Sequence, residues 1–347
     1  MRSLFSDSTS ALLARTGRRA ALIGGLASAI ALGAGLATPA QAAPTTMKIG
    51  TVVWIGYGPF YVAESLDLFK KHKLKVKLQF FTDPALIPSA IASGAVDGAM
   101  LTYDQVIGEV AKGRSAKVVM PIDYSNGGDA IVADASVSKV ADFKGKQIAF
   151  NPLSPSDFLL AYALSKNGLT DKDIKPVNMT PEAIPAAMAS GKVPVGVTYE
   201  PSVSQILGQG GGKKYKVVFS SKDAPGLIAD VLVFDDKGIK AKPAEIKGLI
   251  QGYLDGLAYM KSKPDEAARI IGKAMGVSAA EVKEQLSGVY NIPLAEMPKA
   301  YAKGTDTTSY YASGAVIGKI LKDKGQISAL PATENTIDDQ FVKALAK

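Results

Sequence analysis

Cysteine is absent from the 347 residues, and histidine and tryptophan occur once each. Zero Cys excludes a disulfide framework, a thiolate metal site and a Cys nucleophile together. One His excludes a His-rich zinc site and leaves any Ser-His-Asp triad hanging on a single residue. That residue, His72, stands in the turn Lys70-Lys71-His72-Lys73 and reads as a solvated surface group. Arginine is scarce as well: beyond residue 42 only Arg114 and Arg269 remain. A bidentate guanidinium fork for an anion therefore has few candidates. No stretch after residue 42 is long and apolar enough to span a bilayer. These gaps argue against most hydrolases and metalloenzymes.

What is present is globular in character. Hydrophobic residues make up 47% and charged residues 21%. The length suits one large domain or two of ordinary size, with a full core and no covalent staples. Residues 1–42 hold four Arg, no Lys and one acid, Asp7. An apolar stretch from Ala20 to Ala37 follows the Arg cluster, then Thr38-Pro39 and Ala40-Gln41-Ala42. A basic region, an apolar region and an A-x-A site in that order read as a cleavable secretory signal peptide. An uncleaved anchor is the alternative, because about 18 apolar residues just span a bilayer. Thr16-Gly17-Arg18-Arg19 is a weak twin-arginine pattern. Without the leader, 305 residues carry a net charge of +5. The Lys residues are scattered rather than interleaved with aromatics, so a nucleic-acid partner is not expected. The exported chain is expected to be a soluble monomer of the periplasm, a compartment that permits disulfides without requiring them.

Short apolar strands alternate with helices. Strands are expected at 47–53, 75–81, 96–101, 116–123, 130–133, 147–150 and 231–234. Helices are expected at 59–71, 86–93, 155–167 and 179–190, with almost continuous helix from Pro243. Gly94, Gly168 and Gly191 stand where helices should stop. This alternation predicts helices packed on mostly parallel sheets. One segment recurs. Ile87-Pro-Ser-Ala-Ile-Ala-Ser-Gly-Ala-Val96 matches Ile184-Pro-Ala-Ala-Met-Ala-Ser-Gly-Lys-Val193 at seven of ten positions. With one gap, Thr102-Tyr103-Asp104 then faces Thr198-Tyr199-Glu200. Two such units predict two similar α/β lobes, with ligand at the carboxyl ends of their strands.

The chain resembles the nitrate/taurine/sulfonate class of periplasmic solute-binding proteins. The resemblance rests on Trp54-Ile-Gly-Tyr-Gly-Pro-Phe-Tyr-Val-Ala63 with Leu68-Phe-Lys-Lys71, on Ala92 to Ala99, on Asp142 to Ala149, and on Tyr199-Glu200-Pro201. These segments occur in order and extend over roughly residues 47–300. Pro194 departs from the pattern, standing where an Asp would fall. The resemblance implies a two-lobed periplasmic-binding-protein fold of type II. It also implies capture of a small solute between the lobes, delivery to an ABC permease in the inner membrane, and neither a cofactor nor a metal. The expected lobes are 46–123 plus 227–347, and 127–222.

The loops expected at the cleft carry Trp54, Tyr57, Tyr103, Asp104, Asp123, Asp129, Ser154, Tyr199 and Glu200 as candidate ligand contacts. The helices opening at Pro59 and Pro155 offer N-terminal N–H groups as anion sites. Asp123 to Asp129, Gly-rich and polar, reads as a crossover between lobes; the return is expected near 220–226, with Asp230 close by. A metal at these acids would lack any EF-hand pattern. Acids and aromatic faces without Arg are the parts of a cation cage. The expected ligand is thus an amine-bearing solute or a zwitterion such as taurine, rather than nitrate. Two other classes share these features. A pyrimidine-synthase-like enzyme uses the same fold but relies on His and Cys. A periplasmic sensor would present its ligand to a receptor.

Overall fold

The structure, a computed structural model, describes residues 44–347; the expected leader lies outside the described residues. The chain begins in a first lobe. Strand β1 (Thr45–Thr51) leads to helix α1 (Gly58–Ser65), β2 (Leu74–Phe80), α2 (Ile87–Ala92), β3 (Gly98–Thr102), α3 (Tyr103–Ala111) and β4 (Lys117–Ser125). In β2, Leu74, Val76 and Leu78 face inward while Lys75 and Lys77 face solvent. That alternation suits an edge strand, where charge discourages pairing with another chain. Strand β3 is buried throughout, as a central strand must be.

After residues 126–128 the chain builds a second sheet: β5 (Asp129–Asp134), β6 (Gln147–Phe150), α4 (Pro155–Lys166), β7 (Lys175–Asn178), α5 (Ile184–Ala189), β8 (Val195–Tyr199), α6 (Ser202–Leu207) and β9 (Tyr215–Ser220). It then returns to the first sheet through β10 (Ala229–Phe234). Helices α7 (Asp236–Ala241), α8 (Pro243–Ser262), α9 (Pro264–Met275) and α10 (Ala279–Gln285) follow. Strand β11 (Val289–Asn291) joins the first sheet, and α11 (Met297–Tyr301), α12 (Tyr310–Asp323) and α13 (Gln340–Leu345) close the chain.

The first sheet has the order β11-β4-β10-β3-β1-β2 and the second β7-β6-β8-β5-β9. Five adjacent strands of the first, read from β2 to β4, correspond one by one to those of the second. The pairing is mixed, which corrects the expectation of mostly parallel sheets. In the first sheet β10 runs antiparallel to both β3 and β4; in the second β5 runs antiparallel to both β8 and β9. The cause lies in the connectivity. A strand that has just crossed from the other lobe enters its sheet at the cleft end and runs away from it. All the others, β11 apart, arrive at the cleft with their carboxyl ends.

The recurring segment forms the same structure twice. Each copy is a short 3-10 turn opened by Pro84 or Pro181, a helix (α2 or α5), a left-handed glycine and a central strand. Gly94 has φ +73° and Gly191 φ +75°, a conformation that admits glycine at no steric cost.

Several elements differ from the sequence reading. The helix expected at 59–71 ends at Ser65, because Asp67 turns left-handed at φ 53°, and a 3-10 turn covers Leu68–His72. Strands β7 and β9 have no counterpart among the expected strands; β7, Lys-Pro-Val-Asn, is short and exposed at three of its four residues. Strand β11 interrupts the region read as continuous helix. His72 is partly buried, and its Nε2 lies 2.7 Å from Asp255 Oδ2, so it is paired rather than free in solvent.

Helix α8 packs against α1 through small residues. A Cβ on Gly252 would fall 2.2 Å from the Phe69 ring, and one on Gly256 only 2.0 Å from the Pro59 carbonyl oxygen. This close approach seats α1, whose N-cap residue, Tyr57, is part of the cleft wall. No described helix is long and apolar enough to cross a membrane.

Candidate functional site

The two sheets present their strand ends to one cavity between the lobes, about 360 Å3 with its open mouth included. Trp54 follows β1 in extended conformation, and Tyr57 precedes α1. Asp230, the second residue of β10, stands opposite Asp123 of β4 in the ladder. Asp129 opens β5 and stands opposite Tyr199, the last residue of β8. Trp54, Tyr57, Thr102, Asp129, Tyr199 and Asp230 all reach the cavity wall. Asp123 lies a layer behind, fully buried. Its Oδ2 sits 2.3 Å from where a Cβ on Gly56 would be, so only glycine lets the carboxyl approach this backbone.

The polar atoms interlock. Trp54 Nε1 donates to both oxygens of Asp123 at 3.4 Å, and the Tyr57 hydroxyl donates to Asp230 Oδ1. The Trp54 and Tyr199 rings meet edge to face at 5.9 Å. Tyr199 keeps its hydroxyl buried without a partner. Asn291 Nδ2 of β11 donates to the Gly56 carbonyl at 2.7 Å and holds the turn beneath Trp54. At the crossover, Ser125 Oγ accepts from Asp129 N at 3.0 Å and lies 2.8 Å from Ser221 Oγ.

The electrostatics are one-sided. None of the ion pairs among the described residues involves Asp123, Asp129 or Asp230. Burial pushes Asp129 up to about 7, against a hydrogen bond from Ser125 and with the help of Asp104 and Glu200. Burial likewise holds Asp123 well above the carboxylate range, the Trp54 hydrogen bond opposing it and Asp129 adding to it. Asp230 is raised by burial and then by the charge of Asp123. Buried carboxyls beside one another cannot all ionise cheaply. A cation entering the cavity would supply the missing counter-charge. The described residues include no group of three or more His, Cys, Asp or Glu disposed to hold a metal ion.

The candidate residues divide into three groups. Trp54, Tyr57, Asp129 and Tyr199 line the cavity, with Asp123 behind them. Asp104 and Ser154 line a separate, larger cavity nearby. Ser154 caps α4, its Oγ accepting from Ser156 N at 3.2 Å. Tyr103 and Glu200 line neither of these two cavities. The Tyr103 ring packs 4.5 Å from Tyr310, with its hydroxyl 2.9 Å from Thr336 Oγ1. Glu200 accepts from Ser204 N at 3.0 Å and Ser204 Oγ at 2.9 Å, tying down the start of α6. Register explains Tyr103. The strands after the recurring segments keep its spacing without the gap, so Thr102, not Tyr103, corresponds to Tyr199. A shift of one residue changes which side of the backbone a side chain takes. Asp230 was not among the candidate contacts. Its signal was there: a lone acid in the otherwise apolar strand Ala-Asp-Val-Leu-Val-Phe.

Comparison with known proteins gives a consistent set of likenesses. A family model described as "NMT1/THI5 like" matches residues 54–267. The taurine-binding periplasmic protein of Escherichia coli K12 is 23% identical over 288 residues, 78% of this chain and 85% of that protein. The periplasmic aliphatic sulphonate binding protein SsuA of Escherichia coli superposes with TM-score 0.68 at 20% identity, covering 85% of this chain and 97% of the other. The alkanesulfonate-binding protein SsuA of Xanthomonas axonopodis pv. citri, bound to MOPS, gives 0.71 at 16% identity, covering 86% of this chain and all of the other.

Proposed function

The chain belongs to the NMT1/THI5-like family, and from that premise we propose that it is the solute-capturing component of an ABC importer, selective for a small amine-bearing solute. It would act in the periplasm after removal of residues 1–42, as a monomer that delivers its solute to a permease of the inner membrane. The relatives named as taurine- and sulphonate-binding proteins support the importer role. The ligand class rests on one observation: Asp123, Asp129 and Asp230 gather at one cavity with no Lys or Arg paired to them.

An ammonium or guanidinium group placed between Asp129 and Asp230 converts lone buried acids into charge-assisted hydrogen bonds, about 1.5–3 kcal/mol each. Trp54 and Tyr199 place aromatic rings in the wall beside the same cation. A zwitterion such as taurine fits this reading, and MOPS, held by one structural relative, also joins an amine to a sulfonate. Capture would proceed by rotation of the lobes 46–123 plus 227–347 and 127–222 about their crossovers, at residues 126–128 and 221–228. No covalent step is required.

Trp54, the sole tryptophan, sits in the cavity and reports on it directly. Titration with guanidinium and taurine should change its emission saturably. Asp230→Asn should weaken that response at least tenfold, the loss of one charge-assisted contact. Wild-type affinity in both Asp230→Asn and Asp129→Asn would remove the cation from the reading.

A further inference from the structure

A second cavity of about 720 Å3 lies beside the first, between α3 of one lobe and the start of α4 of the other, with the end of α12 against it. Five charged side chains line it, and four of them are paired. Glu109 bonds Arg114 at 2.8 Å and Lys112 at 3.5 Å. Asp157 bonds Lys324 at 3.0 Å and accepts from Gln326 Nε2 at 2.7 Å. The fifth, Asp104, is 5% exposed, and its Oδ1 has no hydrogen-bond partner. A buried carboxylate oxygen without a partner in a polar cavity calls for a donor. Burial pushes Asp104 up to about 6, so it is ionised in most molecules at neutral pH.

We propose that this cavity is a second binding site, for a primary alkylammonium group held by Asp104. The charge follows from Asp104 itself, the one charged side chain of this wall that no ion pair engages. The donor follows from the bare Oδ1. The alkyl tail follows from Phe158 and Leu321, which give the cavity apolar surface. Gln105 separates this site from the cleft and lines both. Its Nε2 donates across the lobes to Leu153 O at 3.3 Å, while its Oε1 accepts from Thr102 N at 3.3 Å. The second site is thus distinct from the cleft, and it stands whether or not the cleft binds amines.

Methylammonium, titrated into isotope-labelled protein and followed by two-dimensional NMR, is the test. The amide signals of Gly108 and Ser154 should shift saturably, and Asp104→Asn should abolish those shifts while leaving the Trp54 indole N–H response intact. Gly108→Lys is the second variant, because a Cβ there meets nothing within 4 Å and its ammonium can fill the cavity from within. It should block the same shifts without disturbing the fold. Shifts that persist in both variants, or no shifts in the wild type, overturn the second site. A silent Trp54 with responding Gly108 and Ser154 counts against the cleft reading alone and upholds this one.

Discussion

Asp129 is an acid that the fold keeps protonated close to neutral pH. Its carboxyl rises from an ordinary value of 3.8 to about 7 on burial. The folded chain therefore holds a proton that the unfolded chain gives up between about pH 4 and 7. This contribution to stability is full below pH 4 and fades as pH rises through 7, at about 4 kcal/mol in all for this one group. Asp129→Asn keeps a neutral polar group at every pH. Ligand-free, the variant should gain on the wild type by a few degrees of Tm between pH 5 and 8. A bound amine should narrow that gap, since it favours the ionised carboxyl. A difference in Tm that stays constant across this range contradicts the assignment of a raised carboxyl at residue 129. Four of the nine candidates, Trp54, Tyr57, Asp129 and Tyr199, line the cavity, because strand ends and the turns beside them can be placed from sequence. Asp230 was placed only near the return crossover, because the strand was read from residue 231 and the acid stands just before that point, second in β10.

Among the elements, α8 is the one whose sequence most directly seats the cleft. Alanine at residue 256 would improve helix propensity by up to about 1 kcal/mol. Its Cβ would nevertheless meet the Pro59 carbonyl oxygen, a backbone atom that cannot turn aside. Overpacking of this kind costs about 1–3 kcal/mol. With the clash at the severe end of that range, Gly256→Ala should lower stability by about 1–2 kcal/mol net in urea denaturation, and should weaken binding by shifting Tyr57 and α1. A variant as stable as the wild type would show that α8 and α1 are not held this closely. The helices and their glycine stops could be read from sequence because their determinants are local. Strand direction could not, since β5 and β10 owe their polarity to a crossover from the other sheet. The gap in the recurring segment was a misstep of one residue: it paired Tyr103 with Tyr199, and the strand register pairs Thr102 instead.

At the scale of the molecule, two sheets of matching order face each other across a row of buried acids. Ties span the lobes around the cleft. Gln105 reaches Leu153, and Lys324, only 10% exposed, bonds Asp157 and Asp171. The two-lobed α/β fold was legible because the recurring segment, the alternating elements and the family resemblance agreed. The proposed ligand class starts from a shortage, two Arg beyond residue 42, neither of which is paired to the three acids. The cation reading is most exposed to a thermal-shift screen of residues 43–347. The panel would set guanidine, choline-like amines and taurine against nitrate and plain alkylsulfonates. A solute at 100 times its Kd stabilises the native state by about 2.7 kcal/mol, readily seen as a higher Tm. The buried acids predict that amine-bearing solutes raise Tm and that nitrate and plain alkylsulfonates do not. A shift with nitrate or plain alkylsulfonates alone would contradict it and hand the cleft to the helix N-termini.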